Sequence, residues 1–301
     1  MRKWVVGVSL VLGALAASAF AAPTVVYLNF NGSDAAACSR TAPCRTITHG
    51  LAVVAAGGTV DIVGSGLYDI FTVTKSVTVT TDPGVTATII VPASGTGISV
   101  NASSTDIVAL KGLTLLGAGS GFGISVKNAE RVTVEDCDSR NFFHALDYVA
   151  SAGATGTLKV KGGTFDGTVD TSIFVCCNAG ATLKVAVDGA HIYGGHFAGI
   201  NVDATFVAVT HTWFTGDAGC GASLHEGIHA AHGTVVAEND VISGYCVGIG
   251  VYDTAYISSN TISGNTTGIE LLSGTAFTRG NNTVENNGTN VSGTLTPYSG
   301  Q

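Results

Sequence analysis

The chain has 301 residues, of which 41 are glycine and only 11% are charged, a composition that favours strands and tight turns over helices. Its 21 acidic and 13 basic residues give a net charge of −8, which argues against a polyanion such as nucleic acid as the main partner. The length allows one large domain or two ordinary ones.

The first 21 residues have the pattern of a secretory signal peptide. Arg2 and Lys3 give a basic start, residues 4–15 form an apolar run, and residues 19–21 read Ala-Phe-Ala, a small-x-small cleavage site. The run is too short to span a bilayer and no later segment is long enough, so no membrane insertion is expected after signal removal. We therefore predict a secreted chain, extracellular or periplasmic, that begins near Ala22.

Residues 22–58 are predicted to form a first strand, a disulfide-closed loop and a capping helix. Cys38 and Cys44 are six residues apart and flank a polar loop, which favours a local disulfide. Within residues 46–56, apolar residues spaced four and three apart predict a short amphipathic helix that stops at a glycine pair. A helix at this point would cover the open end of a stacked sheet.

Residues 59–292 repeat a pattern of three short apolar strands, and residues 293–301 form a polar tail. The first strand of each later repeat carries an isoleucine or leucine that is expected to be buried, usually after glycine. These residues recur at intervals of 20 to 28 residues. These positions are Ile98, Ile124, Leu146, Ile173, Ile200, Ile228, Ile249 and Ile269. Such a period is typical of a solenoid, in which each turn buries its apolar face against the next.

Two segments resemble secreted bacterial right-handed parallel β-helix repeat proteins of the pectate-lyase-like superfamily. The first is Asn31-Gly-Ser-Asp with the loop from Cys38 to Cys44, and the second is Asn-Thr-Ile-Ser-Gly-Asn-Thr-Thr-Gly-Ile at residues 260–269. The resemblance covers nearly the whole mature chain and implies an all-β fold, a single-stranded right-handed parallel β-helix of roughly nine to ten turns with a short N-terminal capping helix. That superfamily contains lyases, hydrolases, epimerases and members without assigned function, so the fold does not select a reaction.

Stacking of the repeat would align the outward side chains of the first strands in two columns. The residues directly after the inward positions are Ser99, Ser125, Asp147, Phe174, Asn201, His229, Gly250 and Glu270. Two residues further on, the second column holds Asn101, Lys127, Val149, Cys176, Asp203, Ala231, Tyr252 and Leu272. Because neighbouring turns lie about 4.8 Å apart, Asn201, Asp203, His229, Tyr252 and Glu270 are predicted to form one polar-aromatic patch that binds sugar. The alternative is that outward positions of a solvated sheet are simply polar.

Residues 225–229 match the zinc-protease motif H-E-x-x-H letter for letter. That chemistry needs a helix, which brings residues four apart to one metal. Here the motif falls where a strand starts, and His225 and His229 would be about 13 Å apart along an extended chain. We therefore predict no zinc site.

The densest acidic cluster consists of Glu135, Asp136 and Asp138, close to Arg140. Carboxylates of this kind form the calcium sites that pectate lyases use. Strand alternation would aim Asp136 away from Glu135, so a solvated turn is the favoured interpretation and no cofactor is predicted. The Gly-x-Asp-Asp, Gly-His-Gly and Arg-x-Lys signatures of polygalacturonase-like members are absent from the sequence.

Seven cysteines follow the signal peptide, an odd number that leaves at least one thiol unpaired within the chain. Cys220 and Cys246 fall on neighbouring turns, which allows a second disulfide. The remaining three, Cys137, Cys176 and Cys177, have no clear assignment.

The function most consistent with these observations is binding of an extracellular or cell-envelope polysaccharide, without an identifiable catalytic centre. One alternative is a polysaccharide lyase or epimerase that uses residues near His229 and Asp203. Another is a structural surface or adhesion protein. The sequence does not set the oligomeric state.

Overall fold

The computed structural model describes residues 22–177, 180–217, 219–220 and 225–299, so the predicted signal peptide lies outside the described residues. The described chain is a single-stranded right-handed parallel β-helix with one short helix. Each coil contributes one strand to each of three sheets, here called A, B and C. Within this part of the chain, no helix reaches the length and apolarity that crossing a membrane requires.

Sheet A contains the first strand of each coil. Its strands are Phe71–Val73, Thr96–Asn101, Phe122–Asn128, His144–Ala150, Thr171–Cys177, the first half of Ala198–Thr210, the first half of Glu226–Glu238, Val247–Val251, Thr267–Leu271 and Thr289–Ser292. The two longest strands continue round a corner into sheet B and join the two sheets.

Sheet B contains the second strands. They are Val25–Leu28, Gly58–Ile62, Val77–Thr81, Ile107–Lys111, Arg131–Glu135, Thr155–Lys161, Thr182–Asp188, the second halves of the two long strands, Thr254–Ser258, Thr275–Thr278 and Thr296–Pro297. The first and last of these lie outside residues 59–292, so the stack extends at both ends beyond the predicted repeat.

Sheet C contains the third strands, of which there are ten in the described part of the chain, and this agrees with the predicted nine to ten turns. They are Gly66–Tyr68, Ala87–Ile90, Leu113–Leu116, Asp138–Arg140, Thr164–Thr168, His191–Gly194, Trp213–Thr215, Val241–Ser243, Thr261–Ile262 and Thr283–Val284.

The predicted inward positions of sheet A form one buried column. All eight, from Ile98 to Ile269, have no exposed surface and are register partners of one another. Glycine precedes most of them for a steric reason. A Cβ at Gly227 would overlap the carbonyl oxygen of Gly248, the equivalent residue of the next coil. In the Gly-Ile repeat, the isoleucine is therefore required by burial in the core, and the glycine by the close approach of neighbouring backbones.

The predicted helix is Ile47–Val53, and it lies against the first strands of sheet B. Thr46 is its N-cap, and its side-chain oxygen accepts a hydrogen bond from the His49 amide at 3.1 Å. The apolar spacing predicted from the sequence faces inward, because Ile47, Leu51 and Val54 are all buried.

Two disulfides join the same cysteine pairs that the spacings predict. Cys38–Cys44 closes the loop before the helix, and Cys220–Cys246 connects neighbouring coils. Cys137 is a free, fully buried thiol, and burial raises its pKa to about 12. The side chain of Cys177 lies outside the described part of the structure.

Candidate functional site

The outward column predicted for sheet A is present in the strand register. Ser99, Ser125, Asp147, Phe174, Asn201, His229, Gly250 and Glu270 are successive register partners. Asn201 therefore lies beside His229, while Gly250 separates His229 from Glu270. The structure thus aligns three of the five predicted site residues in one row across four coils.

The second predicted column is wrong in part, because the register shifts between Val202 and Asp203. His232, and not Ala231, lies opposite Asp203, and the two side chains pair at 3.0 Å between Nδ1 and Oδ1. A similar shift places Asn128, and not Lys127, beside Asn101. A β-bulge of this kind re-aims side chains and cannot be read from alternation alone.

Glu226, His229 and Tyr252 form a hydrogen-bonded cluster on the outer side of sheet A. Glu226 Oε2 lies 2.7 Å from His229 Nδ1. The other carboxylate oxygen, Oε1, accepts a hydrogen bond from the Tyr252 hydroxyl at 3.1 Å. The His229 and Tyr252 rings are in contact, with centroids 4.6 Å apart. Glu226 is fully buried and His229 nearly so. The carboxylate favours a proton on Nδ1, which leaves Nε2 of neutral His229 as an acceptor.

The absence of a side chain at Gly250 makes room for this cluster. A Cβ at Gly250 would overlap the Glu226 carboxylate. Burial and the nearby negative charges of Glu226 and Glu270 raise the pKa of the Tyr252 phenol above its usual value. Tyr252 is therefore a neutral hydrogen-bond donor throughout the physiological pH range.

An open pocket of about 370 Å³ adjoins the cluster. Its wall consists of His229, Ala231, His232, Tyr252, Asp253 and Ser273. A smaller pocket of about 210 Å³, lined in part by Asp203, lies on the other side of His232. Carboxylates, imidazoles and a phenol thus line these recesses, a combination suited to a polyhydroxylated ligand.

The same face continues toward the N-terminus with a second aromatic and acidic group. The His144 ring stacks on Phe174 at 4.6 Å, and His144 Nε2 lies 3.0 Å from Asp170 Oδ2. Asp147 is 5% exposed, and burial raises its pKa to about 6 although a Ser125 hydrogen bond opposes the shift. Asp147 Oδ1 and Asn201 Oδ1 are buried and have no hydrogen-bond partner among the described residues.

The five predicted residues therefore have different relations to the pocket. His229 and Tyr252 line it, Asp203 reaches it through His232, and Asn201 and Glu270 flank it along the column. Sequence reasoning missed Glu226 and His232. Glu226 is three residues before His229, and regular alternation would place the two on opposite faces. Gly227 and Ile228 both face the core, which interrupts alternation between Glu226 and His229 in a way that the sequence does not show.

One residue of each metal-like motif pairs with another side chain. Residues 226–238 form a strand, so the H-E-x-x-H letters do not lie on a helix, and His225 Nε2 pairs with Asp217 at 3.0 Å. In the acidic cluster, Glu135 pairs with Lys111 at 2.8 Å. One group of three potential ligands occurs in the described ranges, Cys38, Cys44 and His49, and its two sulfurs form a disulfide.

Comparison with solved structures identifies two proteins with the same fold. The crystal structure of pectate lyase Pel9A matches with a TM-score of 0.65 and 15% identity over 86% of this chain and 75% of that one. A rhamnogalacturonan lyase matches with a TM-score of 0.55 and 14% identity over 84% and 75% of the two chains. No protein-family model matches the chain, and no curated protein matches it. These likenesses establish the parallel β-helix.

Proposed function

We propose that this protein binds an extracellular or cell-envelope polysaccharide along the outer face of sheet A, with the His229 pocket at the centre of the contact. The hydrogen-bonded Glu226–His229–Tyr252 cluster beside an open pocket carries this proposal. Two solved structures of the same fold are a pectate lyase and a rhamnogalacturonan lyase, which supports a polysaccharide as the ligand class.

The residues of the site offer the two kinds of contact that sugars need. The rings of His229, Tyr252 and Phe197 form an aromatic group, with His229 and Phe197 centroids 5.0 Å apart. Aromatic faces attract the weakly positive C–H groups of a sugar ring. The carboxylates of Asp203 and Asp253 accept hydrogen bonds from hydroxyl groups.

Cluster geometry also determines how rigid the contact would be. Since the Glu226 carboxylate fixes both His229 and Tyr252 before any ligand arrives, binding does not require those two side chains to be ordered again. Preorganisation of this kind increases affinity by lowering the entropy cost of association.

Secretion is part of the same proposal. The predicted signal peptide and the two disulfides support an extracellular or periplasmic location, where such bonds persist. N-terminal sequencing of the exported chain tests this, and a mature chain that starts near Ala22 is expected.

Electrophoresis of the full chain in gels that contain dissolved polysaccharides tests binding on sheet A. We expect retardation with at least one polysaccharide, and we expect His229→Ala and Tyr252→Phe to reduce it about tenfold in apparent affinity, since each removes a preorganised contact. Tyr256→Phe is the matched control, because it removes a phenol oxygen from sheet B. Equal retardation of the His229→Ala variant and the unaltered chain would contradict the proposal.

A second candidate function is a lyase or epimerase reaction on a uronate sugar, favoured by the buried carboxylate that orients His229. In elimination, His229 Nε2 would take the proton from C5, the C4–C5 double bond would form, and the C4–O bond would break with protonation of the leaving oxygen. In epimerisation, a proton would return to C5 from the opposite face. Such proton transfer depends on a base that a second group holds in place.

A product assay separates catalysis from binding. The full chain is incubated with acidic and neutral polysaccharides, with and without calcium, and unsaturated ends, reducing ends and C5 configuration are measured. Catalysis predicts unsaturated or epimerised product that the His229→Ala, Asp203→Asn double variant does not form. Turnover that survives this double substitution would exclude the assignment of these residues.

A further inference from the structure

Sheet C carries a separate group of exposed rings, His191, Tyr193 and Trp213, here called the aromatic strip. His191 and Trp213 are register partners on neighbouring coils, with ring centroids 5.7 Å apart. The rings of His191 and Tyr193, two residues apart on one strand, are inclined by only 12° at 6.3 Å. Trp213 is 56% exposed and Tyr193 is 39% exposed.

Core packing does not explain these rings. The inward positions of the same two strands are taken by Ile192 and Phe214, which are both buried. The aromatic strip therefore exposes rings to solvent on sheet C, beyond what the fold needs. Exposed aromatic patches of this kind mark binding surfaces.

A pocket of about 390 Å³ adjoins the strip at Tyr193. The carboxylates of Asp166 and Asp217 and the imidazole of His196 line it, and the backbone of Gly194 and Gly195 forms part of its wall. Arg140, the register partner of Asp166, is paired with Asp138 at 3.8 Å. The pocket thus combines hydrogen-bond acceptors with an acidic character.

We propose that the aromatic strip and this pocket bind a neutral polysaccharide. Ring faces suit the C–H surface of a sugar, and the two carboxylates accept hydrogen bonds from its hydroxyl groups. The carboxylates of Asp166 and Asp217 disfavour a polyuronate in this pocket, whereas a neutral polysaccharide meets no repulsion there. This surface is distinct from the His229 pocket, which lies on sheet A.

The sequence provides a direct optical probe of this surface. The chain has two tryptophans, Trp4 in the predicted signal peptide and Trp213, so the exported chain, or a full chain with Trp4→Phe, reports only on the aromatic strip. We expect titration with soluble neutral glucans, hydroxyethylcellulose and dextran, to cause a saturable change in Trp213 emission with at least one of them. Tyr193→Ala should raise the half-saturating concentration about tenfold, because it removes one stacking face.

Two further variants decide the origin of the signal. Leu116→Ala removes an exposed apolar side chain of sheet C outside the strip, and His229→Ala alters only the sheet A pocket, so neither should change the titration. The proposal is overturned if neither neutral glucan changes the emission, if only polygalacturonate does, or if Leu116→Ala weakens binding as much as Tyr193→Ala. Emission that depends on protein concentration without sugar would indicate contact between two copies of the chain, and would overturn it too.

Discussion

Glu226 determines how the outer face of sheet A is organised around His229. Its carboxylate is withdrawn from solvent, and it has two hydrogen-bond partners, His229 and Tyr252, that fix the rings on either side. Buried carboxylates are stable only when such partners compensate for lost hydration. The space for this group comes from Gly250, which belongs to the next coil.

Substitution of Gly250 by alanine tests this arrangement. Because the new Cβ would overlap the Glu226 carboxylate, Gly250→Ala should displace Glu226, release His229 and reduce polysaccharide retardation about tenfold. Gly248→Ala, two residues earlier on the same strand, is the comparison. Its Cβ would meet the Gly268 carbonyl oxygen, so it should lower the melting temperature instead of acting on the pocket. Unchanged retardation in Gly250→Ala would show that Glu226 does not organise the site.

Asp240 gives the fold a predictable dependence on pH. Burial raises its pKa from 3.8 to about 7 in the folded chain, against the opposing hydrogen bond from the Thr212 amide. The folded state therefore binds the proton more tightly than the unfolded state. The stabilising contribution is complete below about pH 4 and is lost as pH rises to about 7.

Asp240→Asn should remove this dependence while it retains the oxygen that accepts from Thr212. We expect the free energy of unfolding at pH 8 to rise by roughly 1–3 kcal/mol, with little change at pH 4, as measured by urea denaturation. The reverse change in the equivalent residue of the next coil, Asn260→Asp, should introduce a loss of stability above pH 4. If the free energy of unfolding varies with pH in the same way for Asp240→Asn and the unaltered chain, Asp240 is not the source of the pH dependence.

At the scale of structural elements, rows of stacked side chains connect the turns of the last coils. The first row starts at Asp240 and continues with asparagines. The Asp240 amide donates to Asn260 Oδ1 at 2.8 Å, and the Asn260 amide donates to Asn282 Oδ1 at 3.0 Å. A parallel row starts at Tyr245, whose amide donates to Asn265 Oδ1, and continues to Asn287. These side chains satisfy turn amides that no strand partner reaches.

Substitution of one asparagine in a row should lower the free energy of unfolding, and the loss should be larger where the side chain is more deeply buried. Asn265 is 4% exposed and its side chain makes four hydrogen bonds, so Asn265→Ala should lower the free energy of unfolding by about 1–3 kcal/mol, since the Tyr245 amide loses its acceptor. Asn281→Ala is the control, because Asn281 is exposed and water replaces its bond to the Ser259 amide. If urea denaturation gives the same loss of unfolding free energy for Asn265→Ala and Asn281→Ala, burial does not determine the size of the loss.

The repeat made the sheets and the first outward column predictable from sequence. A buried residue such as Ile228 recurs at the same place in each coil, and its neighbour His229 is then outward by alternation. The site was only partly predictable, because it depends on two departures from alternation, at Gly227 and after Val202. Contacts between coils, such as Glu226 with Gly250, depend on register and not on any local pattern.

At the scale of the whole molecule, stability is a sum over coils, and the ends of the stack need separate protection. The first coil has no further coil on its N-terminal side, so its apolar groups would be exposed without a cover. The loop from Cys38 to Cys44 pairs with the outer edge of Val25–Leu28, and helix 47–53 covers the apolar end of the core. It packs so closely that a Cβ at Gly50 would lie 2.8 Å from Leu28 Cδ1 and 3.3 Å from Val60 Cγ1.

Gly50→Leu should therefore lift the helix from the end of the stack. We expect a lower melting temperature and a mean mass in sedimentation that increases with concentration relative to the unaltered chain, because the uncovered apolar end of the stack associates with that of other molecules. Ala52→Leu adds the same side chain on the exposed side of the helix and should leave both quantities unchanged. If Gly50→Leu has the same melting temperature and the same sedimentation mass as Ala52→Leu, the helix does not stabilise the stack, and the first coil is stable without a cover.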